Sequence, residues 1–400
     1  MNKLILLVDE WERNKNFVER ELTFIKEHFD VTIICNFDAE SRYPSDTKYI
    51  SYKRRIGINV IIAFMKCILD KTTWFEIFNL KKEKEKIKKI SEVLRFYINA
   101  ELFWNSVKDE FQKNEEFIVY SYWLFWKCFA FTKNKTKYPG MKIISRVHGY
   151  DLYDEQIPSG YQPFKRAMDE RLDKVVFISE YGMNYYMEKY GLSNDNKHCL
   201  YQLGTKDYNT LNPYKRVEYI RLVSCSNVIP IKRVDLIVKA LSEVKNISIE
   251  WIHFGDGELL EKIKSDAEKL LKPCKNISYS LVGRVQNNDI MKYYSENSVD
   301  AFLMVSESEG NPVSVMEAMS FGIPIISYDI CNMSNIVKGC GILIPENATY
   351  ETLSKSIEEF AREEDEVIAE YRRRSREIWE KEFRGDENSK RFIDEVLLAL

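Results

Sequence analysis

The sequence predicts an α/β protein of two Rossmann-like domains, on three observations. Apolar runs of buried-strand length alternate with stretches of helical periodicity along the chain. At 400 residues the chain is too long for one ordinary core. A polar, turn-rich segment at 208–213 (YNTLNP) separates two such α/β patterns, which sets the expected domains at 1–207 and 208–379.

In the first half, residues 4–8 read as a buried strand, 9–16 as a polar loop, 17–25 as an amphipathic helix and 31–35 as a second strand. This βαβ opening implies a parallel sheet. Residues 56–113 carry a helical pattern, with an apolar stretch at 58–69 and an aromatic one at 74–78. Residues 81–90 (KKEKEKIKKI) hold six Lys and two Glu. Such a run reads first as a solvated helix face; beside aromatics it also suits an anionic bilayer surface, so peripheral membrane contact through 74–90 is the alternative. Residues 118–122, 142–145 and 175–179 are further strands, and 181–190 a helix. The strand at 142–145 runs into Arg146-Val147-His148-Gly149 and sets His148 near its carboxyl end, where open parallel sheets bind ligands. A structural histidine is the alternative there.

In the second half, a strand at 220–224 leads through the loop 225–233 (CSNVIPIKR) to a helix at 234–244. Lys232 and Arg233 stand just before that helix, where cations beside free N–H groups meet phosphates; two exposed basic residues are the alternative. Strands at 248–254 and 277–282 end in Gly255-Asp256-Gly257 and Gly283-Arg284-Val285. A strand at 300–305 turns through Glu309-Gly310-Asn311-Pro312 into a helix at 313–320. Pro312 suits that helix's first turn, Gly322 its end, and 323–327 is the next strand. Glu309 therefore lies on a loop at a strand's carboxyl end, placed to accept from sugar hydroxyls. Glu317 lies two turns into the helix, placed to accept from ribose. Between them the helix start at Val313 offers free N–H groups and a positive dipole end, which suit a diphosphate. The alternative is a turn residue and a solvated helix face.

Composition narrows the classes. A net charge of −3 lacks the broad basic field that nucleic-acid binding needs. The eight cysteines show no C-x-x-C spacing, and four histidines make a zinc site unexpected. The thiols read as reduced and mostly buried, as in the cytoplasm. No signal peptide or membrane-spanning run is expected, and no cofactor.

The run EGNPVSVMEAMSFGIPIIS (309–327), with its Glu-x7-Glu spacing, and the run SRVHGYDLY (145–153) resemble signatures of the retaining glycosyltransferase family 4, of bacterial surface-polysaccharide type. Looser likenesses at 222–241, 252–258 and 281–285 carry the resemblance over essentially the whole chain. It implies a GT-B fold: two Rossmann-like domains facing a central cleft, with residues 380–400 returning to the first. It implies a hexosyltransferase that needs no metal and moves a sugar from a nucleoside-diphosphate sugar to a glycan or lipid-linked acceptor. The setting would be exopolysaccharide, capsule or O-antigen synthesis, in the cytoplasm or at the membrane's inner face. On matched positions Glu309 and His148 hold the reacting sugar, Glu317 the ribose and Lys232 the diphosphate. Arg233 stands in for a second cation, because Ser226 and Asn227 occupy the place of the family's Gly-Arg pair. Gly255, Arg284 and Val285 lie at positions of nucleotide contact, the last two where backbone groups cradle the base. Asn311 and Pro312 replace an aromatic residue and a glycine ahead of Val313, and the first loop has no glycine. A GT-B nucleotide-sugar epimerase and a non-catalytic sugar-nucleotide-binding partner are the alternatives.

Overall fold

The computed structural model of the chain describes residues 2–8, 11–36, 47–52, 57–80, 85–193 and 195–400. They fall into two compact units, Met1–Gln202 with Ser389–Leu400, and Leu203–Asn388.

In the first unit, β1 (Asn2–Leu7), α1 (Trp11–His28), β2 (Phe29–Asn36) and β3 (Lys48–Tyr52) are followed by three helices, α2 (Ile58–Leu69), α3 (Lys71–Asn79) and α4 (Lys86–Val107). Then come β4 (Phe117–Ser121), α5 (Trp126–Asn134), β5 (Met141–Val147), α6 (Lys165–Asp169), β6 (Lys174–Phe177), α7 (Glu180–Tyr190) and β7 (His198–Leu200). The strands form one parallel sheet in the order β3-β2-β1-β4-β5-β6-β7. Its central strands β1 and β4 read as near-continuous apolar runs because both faces are covered. Leu4, Leu6, Ile33, Tyr120 and Ile144 pack with Val18, Leu22 and Ile25 of α1 and with Phe392, Ile393, Val396 and Leu397 from the chain's end. The alternate residues Ile5, Leu7, Ile34, Val119 and Ile143 pack with Phe96, Ala100 and Phe103 of α4 and Phe129 of α5. This period of two is what a strand imposes on its side chains.

In the second unit, β8 (Tyr219–Cys225), α8 (Val234–Glu243), β9 (Ser248–Phe254), α9 (Leu260–Leu270), β10 (Ile277–Gly283), α10 (Asn287–Glu296) and β11 (Ala301–Met304) come first. They are followed by α11 (Val313–Ser320), β12 (Ile325–Tyr328), α12 (Met333–Ile336), β13 (Gly341–Ile344), α13 (Tyr350–Arg362) and α14 (Asp365–Glu382). The sheet is again parallel, in the order β10-β9-β8-β11-β12-β13. The chain passes back to the first unit within α15 (Gly385–Phe392).

Several expectations need correction. The loop expected at 9–16 is helical from Trp11; WERNKN holds helix-forming Glu, Arg and Lys and no Gly or Pro to break a helix. Residues 9, 10 and 81–84 lie outside the described residues, so only part of 81–90 is seen, with α4 beginning at Lys86. Elements not anticipated include the short strands β3 and β7, the helices α6, α10 and α12, and α5, whose residues are buried nearly all round and so show no stripe. Residues 208–213 lie inside the second unit. Asn212, whose polarity suggested a linker, donates to the Tyr294 and Asn297 carbonyls at 2.6 and 2.7 Å and accepts from the Val299 N–H at 3.0 Å. Return to the first unit begins at Ser389, because 380–388 belong to the second: Thr205 N–H donates to the Phe383 carbonyl at 2.9 Å.

Candidate active site

In the second sheet the strand order reverses between β8 and β11, which pair side by side. Loops leaving the carboxyl ends of two such strands diverge and open a crevice, the ligand site of open α/β sheets. The loop after β8 carries Lys232 and the loop after β11 carries Glu309. Their side chains meet there, Lys232 Nζ lying 2.5 Å from Glu309 Oε1, with 21% and 14% of each side chain exposed. They line one small pocket together with Ser226, His253, Ser306 and Ser314 in the first turn of α11. The structure thus brings together Lys232, Glu309 and the start of the helix that begins at Val313.

That helix follows from its sequence. Pro312 sits one position earlier than expected, as the residue before the first helical one (φ −72°, ψ 109°), and no side chain caps the helix. At the other end Gly322, at φ +68°, accepts the left-handed turn that stops α11. The back of α11 is fixed by α14. Arg376 donates to the Ser320 carbonyl and lies 4.6 Å over the Trp379 ring, while Ser375 Oγ donates to the Ile323 carbonyl at 2.7 Å. Glu317, half-buried on α11, accepts at 2.7 Å from Asn287 Nδ2 at the start of α10. Asn287 gave no signal in the sequence, since one Asn opening a helix is ordinary.

The three loops after β8, β9 and β10 are knitted by backbone. Ser226 N–H donates to the Phe254 carbonyl at 3.1 Å, Val228 N–H to Asp256 at 2.9 Å and Gly255 N–H to Gly283 at 2.9 Å. Gly255 has φ +152°, and a Cβ there would stand 1.8 Å from the Ser226 oxygen. Its glycine is explained by this close approach. Asn227 and Arg284 are exposed on these loops, Val285 is half-buried, and Asn311 is buried ahead of α11.

Arg233, expected as an open cation for phosphate, has another duty. It takes a left-handed conformation (φ 48°), and its Nε donates to the Val305 carbonyl at 2.8 Å and a terminal nitrogen to Ser306 at 3.0 Å. Its guanidinium also lies 4.8 Å from the Tyr328 ring centre. A planar fork suits two neighbouring carbonyls, and here it ties the β8 loop to the β11 loop. Of the two adjacent cations, Lys232 is the one turned into the cavity.

His253 was missed because an alternating strand hides a single inward His. It is fully buried, and the chain of donors runs from Trp251 Nε1 to Ser224 Oγ at 2.9 Å, with Ser224 Oγ 2.8 Å from His253 Nδ1. Burial lowers its pKa to about 4, so the ring is neutral near pH 7.

In the first unit His148 follows β5. Its backbone N–H donates to Asp151 Oδ1 at 2.6 Å, and Leu124 N–H donates to the other oxygen at 2.6 Å, so one buried carboxylate binds the two loops together. The ring packs against Trp123, 4.2 Å between centroids, and Tyr122, 4.9 Å. Neither ring nitrogen has a hydrogen-bond partner among the described residues, although His148 is only 7% exposed. Burial, then the Arg146 charge, holds the imidazole well below its ordinary pKa and therefore neutral. Arg146 is itself paired with buried Glu21, which also accepts from Tyr120 Oη at 2.9 Å.

Residues 213–381, within the second unit, match the model of the family glycosyl transferases group 1. Among curated relatives, poly(glycerol-phosphate) alpha-glucosyltransferase of Bacillus subtilis is 25% identical over 341 residues, 81% of this chain and 46% of that protein. O-antigen biosynthesis glycosyltransferase WbnH of Escherichia coli is 31% identical over 113 residues, 28% of this chain and 30% of that protein. The chain thus spans less than half the length of these relatives. Among solved structures, Anabaena Alr3699/HepE in complex with UDP and glucose superposes with a TM-score of 0.67 at 12% identity, over 100% of both chains. The likeness shows the fold: two parallel-sheet Rossmann-like domains of GT-B type.

Proposed function

We propose that the chain is a retaining glycosyltransferase of family 4 that needs no metal. It moves a hexose from a nucleoside-diphosphate sugar to a glycan or lipid-linked acceptor in surface-polysaccharide synthesis. The observation that carries the reading is the Lys232–Glu309 pair astride the β8–β11 reversal, beside the uncapped start of α11. When the donor binds, its diphosphate takes Lys232 from Glu309 and accepts from the first N–H groups of α11. Glu309 is then free to accept from sugar hydroxyls. Charge grows on the departing phosphate, and a preorganised ammonium and helix end oppose it without reorganisation. Glu317, positioned by Asn287, receives the ribose. His148 is the first unit's catalytic residue, a neutral imidazole with both nitrogens uncommitted. The group 1 match of residues 213–381, the names of the polysaccharide relatives and the UDP and glucose in the Anabaena complex support this donor class.

The test is a transfer assay against UDP-, GDP- and ADP-sugars, with and without EDTA. One donor should give transfer that survives EDTA. His148→Ala should lose transfer by about 100-fold or more while keeping its affinity for the bare nucleotide. Activity lost in EDTA and restored by Mg²⁺, an isomerised donor, or normal transfer by His148→Ala would each contradict the assignment.

A further inference from the structure

The exposed large apolar residues of this chain are not scattered. On α2 they are Ile58, Ile61, Ile62, Phe64, Met65 and Leu69, 70%, 63%, 47%, 39%, 51% and 77% exposed. On α3 they are Trp74, Phe75 and Phe78, at 43%, 54% and 66%, and Ile87 opens α4 at 86%. Only Ala63 and Cys67 of α2 are buried, so the helix rests on a narrow stripe and turns the rest of an apolar surface outward. Scattered exposed apolar residues are ordinary, but a contiguous face of this kind marks an interaction surface.

Charge selects the occupant. Residues 53–90 hold eleven Lys and Arg against four acids, in a chain whose net charge is −3. Two of the four acids are turned inward. Asp70 caps α3 by accepting from Thr72 N–H at 2.8 Å, and Glu76 is buried, accepting from Tyr161 Oη at 2.6 Å and Phe164 N–H at 2.8 Å. Lys71, Lys86 and Lys88 are exposed beside the apolar face. A second copy of this chain would set the same positive charges against each other. An anionic bilayer takes both features at once, the apolar side chains below its headgroups and the lysines among its phosphates. No helix among the described residues is long and apolar enough to cross a membrane, and at 12 residues α2 is about 18 Å long, which suits lying in the interface plane.

We propose that α2, α3 and the start of α4 form a docking face for an anionic lipid bilayer. The alternative of contact through 74–90 is thereby moved and widened to centre on α2. The proposal does not depend on transfer activity. Its test is co-sedimentation of the whole chain with vesicles of phosphatidylcholine alone or with about 30% phosphatidylglycerol, since each basic residue near an anionic surface adds about 1 kcal/mol, or about fivefold, to binding. The chain should bind the anionic vesicles at least tenfold more tightly, less so at high salt. Ile61→Ser with Phe78→Ser, both at exposed positions, should lower that binding at least tenfold with unchanged thermal stability. Equal binding to both vesicles, no binding, or variant binding equal to wild type would overturn it. So would dimerisation in solution that the same double variant abolishes.

Discussion

At the scale of single residues, the site rests on polar groups whose partners are other site residues. Glu317 is the clearest case. If it receives ribose, Glu317→Ala should weaken bare UDP by about 10- to 100-fold, since a hydrogen bond to a charged group is worth about 1.5–3 kcal/mol. Calorimetry on the folded variant checks this, and unchanged affinity would remove Glu317 from the site. His253 makes a different prediction, about pH. Its folded pKa of about 4 lies below the ordinary 6.5, so the unfolded chain binds its proton first. Its contribution to stability is present above 6.5 and is lost as pH falls toward 4. Between pH 7 and 5 this amounts to about 2 kcal/mol. Thermal unfolding of His253→Asn should show a shallower loss over that range than wild type; parallel curves would contradict it. The placement of Lys232, Glu309 and Glu317 was legible in the sequence because each sits at a fixed offset from a strand end or helix start. His253 and Asn287 were not, because their partners, Ser224 and Glu317, are about thirty residues away. Arg233 was misread for a related reason: position alone does not show that two carbonyls of the β11 loop already hold it.

At the scale of elements, the crevice depends on how closely three loops approach. Gly255 lets the β9 loop touch the β8 loop. Gly255→Ala would drive a Cβ into the Ser226 oxygen, 1.8 Å away, and displace the loop that carries Lys232. The variant should lose at least 1 kcal/mol of stability, the scale of a strained backbone position, together with UDP affinity. Urea unfolding and calorimetry read the two effects, and a fully stable variant with normal UDP binding would show that the loops have slack. The elements of the second half were readable because each buried strand is short, apolar and ended by Gly or a polar turn. The helix at 313–320 was found with both its ends. In the first half α1 was cut short because a polar helical turn resembles a loop in sequence. α5 was missed because burial on all sides erases the 3.6-residue period.

At the scale of the molecule, two parallel sheets of GT-B type carry two kinds of site. On the proposed reading the second unit presents the Lys232 charge to a diphosphate, and the first a buried neutral imidazole. The strand orders themselves, β3-β2-β1-β4 and β10-β9-β8-β11, were not legible from sequence beyond their being parallel. Pairing is set by contacts distant in the chain, and only the reversal between β8 and β11 turns two separate loops into one crevice. The account's central claim is that this crevice binds the nucleoside diphosphate through Lys232. The most direct measurement is a calorimetric titration of UDP, GDP and ADP into the wild-type chain and into Lys232→Ala, with folding of the variant checked by circular dichroism. The account predicts binding of one nucleotide by the wild type and affinity at least tenfold weaker in Lys232→Ala, as loss of a charge-assisted phosphate contact requires. No nucleotide bound by the wild type, or equal affinity in a folded Lys232→Ala, would contradict it.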